Sequence, residues 1–360
     1  MKTINELSLK EKIGQLFIVG INGKKIDDRV KKLITEYKVG GIILYKRNYS
    51  SYDEMMNHIN ELKKINSVNK IPLLISIDQE GGRVNRMPDE FVNLKPAKKL
   101  ASKKDYNIIK ESGSVIGKML YQSGVNMNFA PVADIKSFPD HHPIGDRCYS
   151  DNPEEVSKCV ISFIEGLKSE RVIPVVKHFP GHGATKKDSH YFLPIIKKTI
   201  NEMEEKDLIP FKESIENGVD CILVGHLLFS NIDKRFPVSL SKRFITRYLR
   251  KKYRFNGVVI SDDIKMKAVE VLYGPKRASI RALKAGNDIV IMRIPFDSQI
   301  QVLETTKKLV EKNYLPEYKI NKKIRRILEL KQKYQINDNI AQGCNISEIN
   351  ELIKSVNNKV

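Results

Sequence analysis

The chain has 360 residues, 41% hydrophobic and 29% charged, with 20 Gly and 15 Pro; this excludes the disordered and fibrous classes and leaves room for a substantial core. Its formal charge of +20 would favour polyanions, but the Lys and Arg are spread over segments that read as exposed helix faces, such as KKIDDRVKKL and SKRFITRYLRKKYRF. Trp is absent and no RNP, zinc-finger or basic-zipper pattern occurs, so no nucleic-acid partner is expected.

At the N-terminus, MKTINELSLKEKIGQLFIVG carries acids and an apolar run too short and too late for a secretory signal core. No run elsewhere approaches the roughly 18 apolar residues of a membrane span. The four Cys (148, 159, 221, 344) form no CxxC pair. Free thiols suit a reducing compartment, and the expectation is a soluble cytoplasmic protein without membrane insertion.

Short apolar, β-branched runs then recur: LFIVGI (16–21), GGIILY (40–45), LLISID (73–78), VNMNFAPVAD (125–134), IPVVKHF (173–179), CILVGHLLF (221–229), GVVISDD (257–263) and DIVIM (288–292). Unbroken rather than alternating runs predict strands buried on both faces, hence a parallel sheet covered by helices. Helical periodicity fills the intervals, in DDRVKKLITEYK, DEMMNHINELKKI, NPEEVSKCVISFIEGLKSE, NEMEEKDLIPFKESIENG and SIRALKAG. NPEE places Asn at an N-cap, Pro at the first helical position and acids in the first turn. Eight strands alternating with helices predict a single-domain α/β protein, a (β/α)8 TIM-type barrel, with a doubly wound open sheet as the alternative. After residue 300, QIQVLETTKKLVEKN and KKIRRILELKQKY would complete the outer ring. The expected organisation is a catalytic domain over 1–334 and a tail or appended helix over 335–360.

In such a barrel the functional face lies at the C-terminal ends of the strands. There the runs meet ionisable groups: Asp78, Asp134, Lys177 with His178, His226, and Asp262 with Asp263. The long loops after the third, fourth and fifth strands carry QEGGRVNRMPDE, HHPIGDRCYSD and PGHGATKKDSH, and long loops in a compact domain are functional or disordered. Three of the seven histidines fall within KHFPGHGATKKDSH (177–190). His178, His182, Asp188 and His190 would suit a metal by residue type. The first strand, however, runs into VGINGKK rather than the HxH of metal-binding barrels, and Pro and Gly between the histidines suggest a turn shaped for substrate. No metal and no cofactor are therefore expected. A carboxylate close to an imidazole, as in Asp188 and His190, fixes its tautomer and stabilises the imidazolium, as a general acid/base requires.

Together IDQEGGRVNR (77–86), APVADI (130–135), IGDRCYS (144–150), KHFPGHGATKKDSH (177–190) and VVISDDIKM (258–266) resemble glycoside hydrolase family 3, in its single-domain β-N-acetylglucosaminidase branch, over approximately residues 8–330. The resemblance implies a retaining, exo-acting hydrolase that removes terminal β-linked N-acetylglucosamine. It implies Asp262, the Asp directly after Ser in SDD, as nucleophile, and Asp188 with His190 as the acid/base dyad. Sugar binding falls to Asp78, Arg86, Arg147, Lys177 and His178. ATKK before DSH and CYS after IGDR depart from the family's usual residues without touching a proposed catalytic atom.

The residue chemistry agrees. A retaining glycosidase ordinarily uses two carboxyl groups about 5–5.5 Å apart, and here His190 would replace the second acid. An imidazole repels an incoming anion less than a carboxylate does, so phosphorolysis with phosphate as acceptor is the alternative reaction. A non-enzymatic carbohydrate- or polyanion-binding barrel is the competing class. The resemblance further implies peptidoglycan-derived anhydromuropeptides as substrate, whose acidic stems would suit the positive surface. His226 is expected to be structural, HHP (141–143) to be loop structure, and the protein to be a monomer.

Overall fold

The computed structural model describes residues 3–137, 144–185, 188–189 and 191–360. His190 and HHP (141–143) lie outside the described residues. The strands are β1 (Phe17–Gly20), β2 (Gly41–Leu44), β3 (Leu74–Ile77), β4 (Met127–Asn128), β5 (Ile173–Phe179), β6 (Ile195–Ile196), β7 (Cys221–Val224), β8 (Leu228–Phe229), β9 (Val258–Ser261) and β10 (Ile289–Met292). Eight of them close a parallel barrel in the order β1-β10-β9-β7-β5-β4-β3-β2. Because β1 pairs with β2 through Ile18↔Gly41 and with β10 through Phe17↔Val290, the sheet has no free edge and the open doubly wound alternative is excluded.

Each predicted run supplies a barrel strand, but two runs overshoot. In 125–134 the ladder is only Met127–Asn128. Pro131 has no N–H to give, and the chain follows β5 through Lys177 N to Pro131 O (3.1 Å) and Ala133 N to Lys177 O (2.6 Å). In 221–229 the barrel strand ends at Val224, and Leu228–Phe229 leaves to pair with Ile195–Ile196 outside the barrel.

The outer layer follows the same sequence logic. Helix Pro153–Ser169 starts where expected: the Asn152 side chain accepts from Glu155 N, with Pro153 opening the first turn. NEMEEKDLIPFKESIENG forms two helices, Ile200–Glu204 and Ile209–Glu216, the second begun by Pro210. At the N-terminal face of the barrel, helix Glu317–Lys333 buries Lys331, whose Nζ donates to Gln15 Oε1 (2.7 Å), Gly40 O (3.0 Å) and Pro72 O (2.7 Å), just ahead of β1, β2 and β3. Residues 335–360 are not a loose tail. Helix Ile346–Asn358 buries Ile349, Ile353 and Val356 and packs on helix Tyr106–Gln122, while Asn350 Oδ1 accepts from Val92 N (2.7 Å) in the loop after β3. Among the described residues no helix is long and apolar enough to cross a membrane.

Candidate active site

At the C-terminal mouth of the barrel lies a cavity of about 300 Å³. Asp78, Arg86, Arg147, Lys177, His178, Asp188 and Asp262 all line it, so each predicted site residue among those described comes to one place. His190, outside the described residues, is not located. His182, Ser189, Asp263, Glu80, Tyr45, Met266 and Arg293 complete the wall with the rims of the β3 and β4 loops.

Two consecutive residues of β5, Lys177 and His178, face this cavity, although side chains on a regular strand alternate between faces. The cause is a register shift: β5 advances from Val176 to Phe179 while β7 advances only from Ile222 to Val224. The extra residue breaks the alternation and lets both groups converge.

Lys177 Nζ contacts Asp78 Oδ1 at 2.8 Å and Glu80 Oε1 at 2.6 Å, with only 3% of the side chain exposed. Arg147 grips the same Glu80 through two bonds, Nε to Oε2 and Nη2 to Oε1, both 2.7 Å. Burial would push the Glu80 carboxyl up, but the Arg147 guanidinium and the Lys177 ammonium hold it well below the usual carboxylate range. The same contact outweighs desolvation at Arg147 and raises its pKa. A lysine has three donors and an arginine five, so both cations keep donors beyond these bonds for a ligand.

Asp134 ties the strand end to the loop that follows. Its Oδ1 accepts from His178 N (3.2 Å) and His182 N (2.7 Å), and its Oδ2 lies 2.7 Å from His178 Nδ1. Burial raises the Asp134 carboxyl, yet His178 and His182 bring it below its ordinary value. An ionised carboxylate only accepts, which puts a proton on His178 Nδ1, while Nε2 lies 3.5 Å from Arg147 Nη2. Gly183 in this loop lies so close to Ile135 that an added Cβ would meet Ile135 O at 1.7 Å.

Ser189 is docked from two sides. His182 Nε2 lies 3.0 Å from Ser189 Oγ, and Ala268 N, in the helix after β9, donates to Ser189 O at 3.4 Å. Asp262 follows β9; its N–H donates to Val224 O (3.0 Å) and its Oδ1 accepts from Asp263 N (2.8 Å), which orients the carboxylate. Asp263 is turned aside: Oδ1 accepts from Lys265 N (3.0 Å) and Arg293 N (3.1 Å), and Oδ2 meets Arg293 Nε at 3.1 Å. Burial pushes the Asp263 carboxyl above its ordinary value despite those donors. His226, fully buried, lies 2.6 Å from Ser239 Oγ and 3.0 Å from Asp263 O, a structural prop beneath this turn.

Sequence reasoning missed Glu80, Tyr45 and Arg293. The strand-end rule would have found two of them, since Tyr45 follows β2 and Arg293 follows β10. The Tyr45 ring has the Arg47 guanidinium at 4.5 Å and that of Arg293 at 4.8 Å. Arg86, by contrast, is held at its backbone, its N–H donating to Gln79 Oε1 (2.8 Å), and its buried Nε has no partner among the described residues. Among those residues no group of three His, Cys, Asp or Glu side chains is arranged to hold a metal ion. The site offers one oriented carboxylate, a rigid network of donors and acceptors for hydroxyl groups, and a second carboxylate on the loop opposite.

Comparison with known proteins bears on this site. The sequence profile of the Glycosyl hydrolase family 3 N terminal domain matches residues 8–330. A beta-hexosaminidase of Nitrosospira multiformis is 33% identical over 281 residues, 76% of this chain and 79% of that protein. One of Tolumonas auensis is 34% identical over 278 residues, 76% and 81%. The structure of a glycoside hydrolase family 3 beta-N-acetylglucosaminidase from Paenibacillus sp. superposes with a TM-score of 0.92 at 34% identity, covering 97% of this chain and 68% of that one.

Proposed function

The chain belongs to glycosyl hydrolase family 3 and is a glycoside hydrolase; from that premise we propose that it is a retaining, exo-acting β-N-acetylglucosaminidase. The observation that carries this reading is that Asp262 and Asp188 line one cavity together with the Asp78, Glu80, Lys177 and Arg147 network. A network of that kind can take adjacent sugar hydroxyls and disfavours sugars lacking them, because buried polar groups would be left unpaired.

In the first step an Asp262 oxygen bonds to the anomeric carbon, the bond from that carbon to the leaving oxygen breaks, and the leaving oxygen takes a proton from His190. In the second, water attacks the anomeric carbon, His190 takes its proton, and the bond to Asp262 breaks, so configuration is retained. Asp188 stabilises the imidazolium. The leaving saccharide is a peptidoglycan fragment of the anhydromuropeptide type, a reading supported by the chain's net charge of +20, which attracts acidic peptide stems over long range.

The test is hydrolysis of an aryl β-N-acetylglucosaminide beside the corresponding glucoside, with and without phosphate. Turnover of the first alone, releasing free sugar, is expected. His190→Ala should lower kcat by roughly 10²–10⁴-fold, and Asp262→Ala should lower it further, both with unchanged unfolding. Full activity in either variant refutes the assignment, and sugar 1-phosphate as product would replace hydrolysis by phosphorolysis.

A further inference from the structure

Ten large hydrophobic side chains are exposed among the described residues, and five of them, Tyr191, Phe192, Ile195, Val271 and Leu272, come from two short segments. Both segments flank the cavity. Tyr191 N and Phe192 N donate to the carbonyl of Asp188 at 3.1 and 3.0 Å, folding these aromatics into a turn on the cavity-lining aspartate. The other segment starts at Met266, a cavity wall residue, and the Ala268 to Ser189 bond joins the two. Its helix is interrupted at Gly274 (φ 66, ψ 156), which leaves Val271 and Leu272 on a short projecting piece anchored by Tyr273 Oη donating to Arg235 O at 2.8 Å.

Contiguous exposed apolar surface on a folded chain marks an interaction site. Here Tyr191 is 63% exposed, Phe192 62%, Val271 74% and Leu272 60%. Four such side chains present on the order of 400 Å², about half of the roughly 800 Å² per partner that a stable dimer buries. None of the four lines the cavity, but Tyr191 and Phe192 adjoin it through Asp188, and Val271 and Leu272 follow Met266 of its wall in the chain. The cavity wall is dominated by charged groups suited to a sugar, and the exposed side chains next to Asp188 and beyond Met266 are apolar.

We propose that Tyr191, Phe192, Val271 and Leu272 form the leaving-group subsite, and that it selects aglycones bringing an apolar face, such as the C–H face of a pyranose, an alkyl chain or an aryl ring. This rests on the reading of the cavity as the N-acetylglucosamine site. Contact with the aglycone there lowers the barrier to glycosyl transfer and does nothing for the departure of the free sugar.

Alkyl β-N-acetylglucosaminides from ethyl to hexyl test it, because their leaving alcohols have nearly constant acidity and differ only in apolar surface. kcat/KM is expected to rise by about 2- to 4-fold per methylene until the surface is covered. In Phe192→Ser and Leu272→Ser, exposed positions at which folding is not at stake, the hexyl-to-ethyl ratio should fall toward one. A ratio near one in the unaltered protein overturns the inference while leaving the function standing, and so does a high ratio that both variants keep. A ratio near one accompanied by self-association that the variants abolish would assign the surface to a second copy and equally overturn it. Failure to turn over any of these glycosides, or the aryl substrate, sinks the underlying function and the inference with it.

Discussion

Glu80 shows how much one buried carboxylate can organise. Its two oxygens hold Arg147 and Lys177, two cations proposed to grip the sugar, and only 7% of its side chain is exposed. Replacing it with Gln keeps the shape, removes the counter-charge and leaves two buried cations without a full partner. Breaking a buried ion pair in this way costs about 3–5 kcal/mol. Glu80→Gln is therefore expected to lower the urea unfolding free energy by that order and kcat/KM by at least about 100-fold. A variant with unchanged stability would show that Arg147 and Lys177 do not depend on it. Glu80 lay in plain view in IDQEGGR, yet nothing local distinguished it from a surface turn residue. Its significance comes from an arginine 67 residues further on, and that contact exists only after the barrel closes.

At the scale of elements, all eight barrel strands were legible because unbroken apolar runs are a local property of strands buried on both faces. Their ends were less so: hydropathy does not register where the regular strand stops, after Asn128 in one run and after Val224 in the other. The placing of Asp78, Lys177, His178 and Asp262 at strand ends followed from the barrel itself. The β5 register shift that brings Lys177 and His178 to the same side did not, since a bulge depends on the neighbouring strand. The histidine-rich segment divides its work. His178 is fixed by Asp134, and His182 is set against Ser189, so His182 is pinned between the strand end and Ser189. Gly183 permits that seating. In Gly183→Ala the new methyl would collide with Ile135 O, which belongs to backbone and cannot swing away. The loop must shift, carrying Ser189 and Asp188 with it, and misplacement of about 1 Å near reacting groups costs on the order of 100-fold. kcat should fall by that order with the thermal midpoint changed far less; an unaffected kcat would mean the loop is not held in this position during turnover.

Across the whole molecule, carboxylates with depressed pKa sit at both ends of the barrel, and this sets its response to acid. Glu80 and Asp134 lie at the mouth, and Asp288 lies at the opposite end, just before β10. Asp288 is fully buried, accepts from Val259 N at 2.8 Å, and is paired with Arg250 and Arg326 from two different outer helices. Burial raises its carboxyl, but those two guanidiniums and Lys323 bring it below its ordinary value. With the folded pKa depressed, the unfolded chain binds the proton more readily. The stability that Asp288 contributes is therefore complete above the ordinary carboxylate pKa near 4 and is lost as pH falls through the folded value. Asp288→Asn can keep one oxygen as acceptor for Val259 N, but it removes the charge and turns an amide NH2 toward the Arg326 guanidinium, so it removes the ion pairs and the Arg326 hydrogen bonds together. At pH 7 the variant should be less stable by about 3–5 kcal/mol, the order for two buried cations deprived of their partner. The gap should narrow as pH falls from about 4 toward 2, because the unaltered protein then loses the same charge. Urea midpoints of both proteins at pH 7, 5 and 3 measure it. A gap that stays constant over that range would show that the cations at the base are balanced by something other than Asp288.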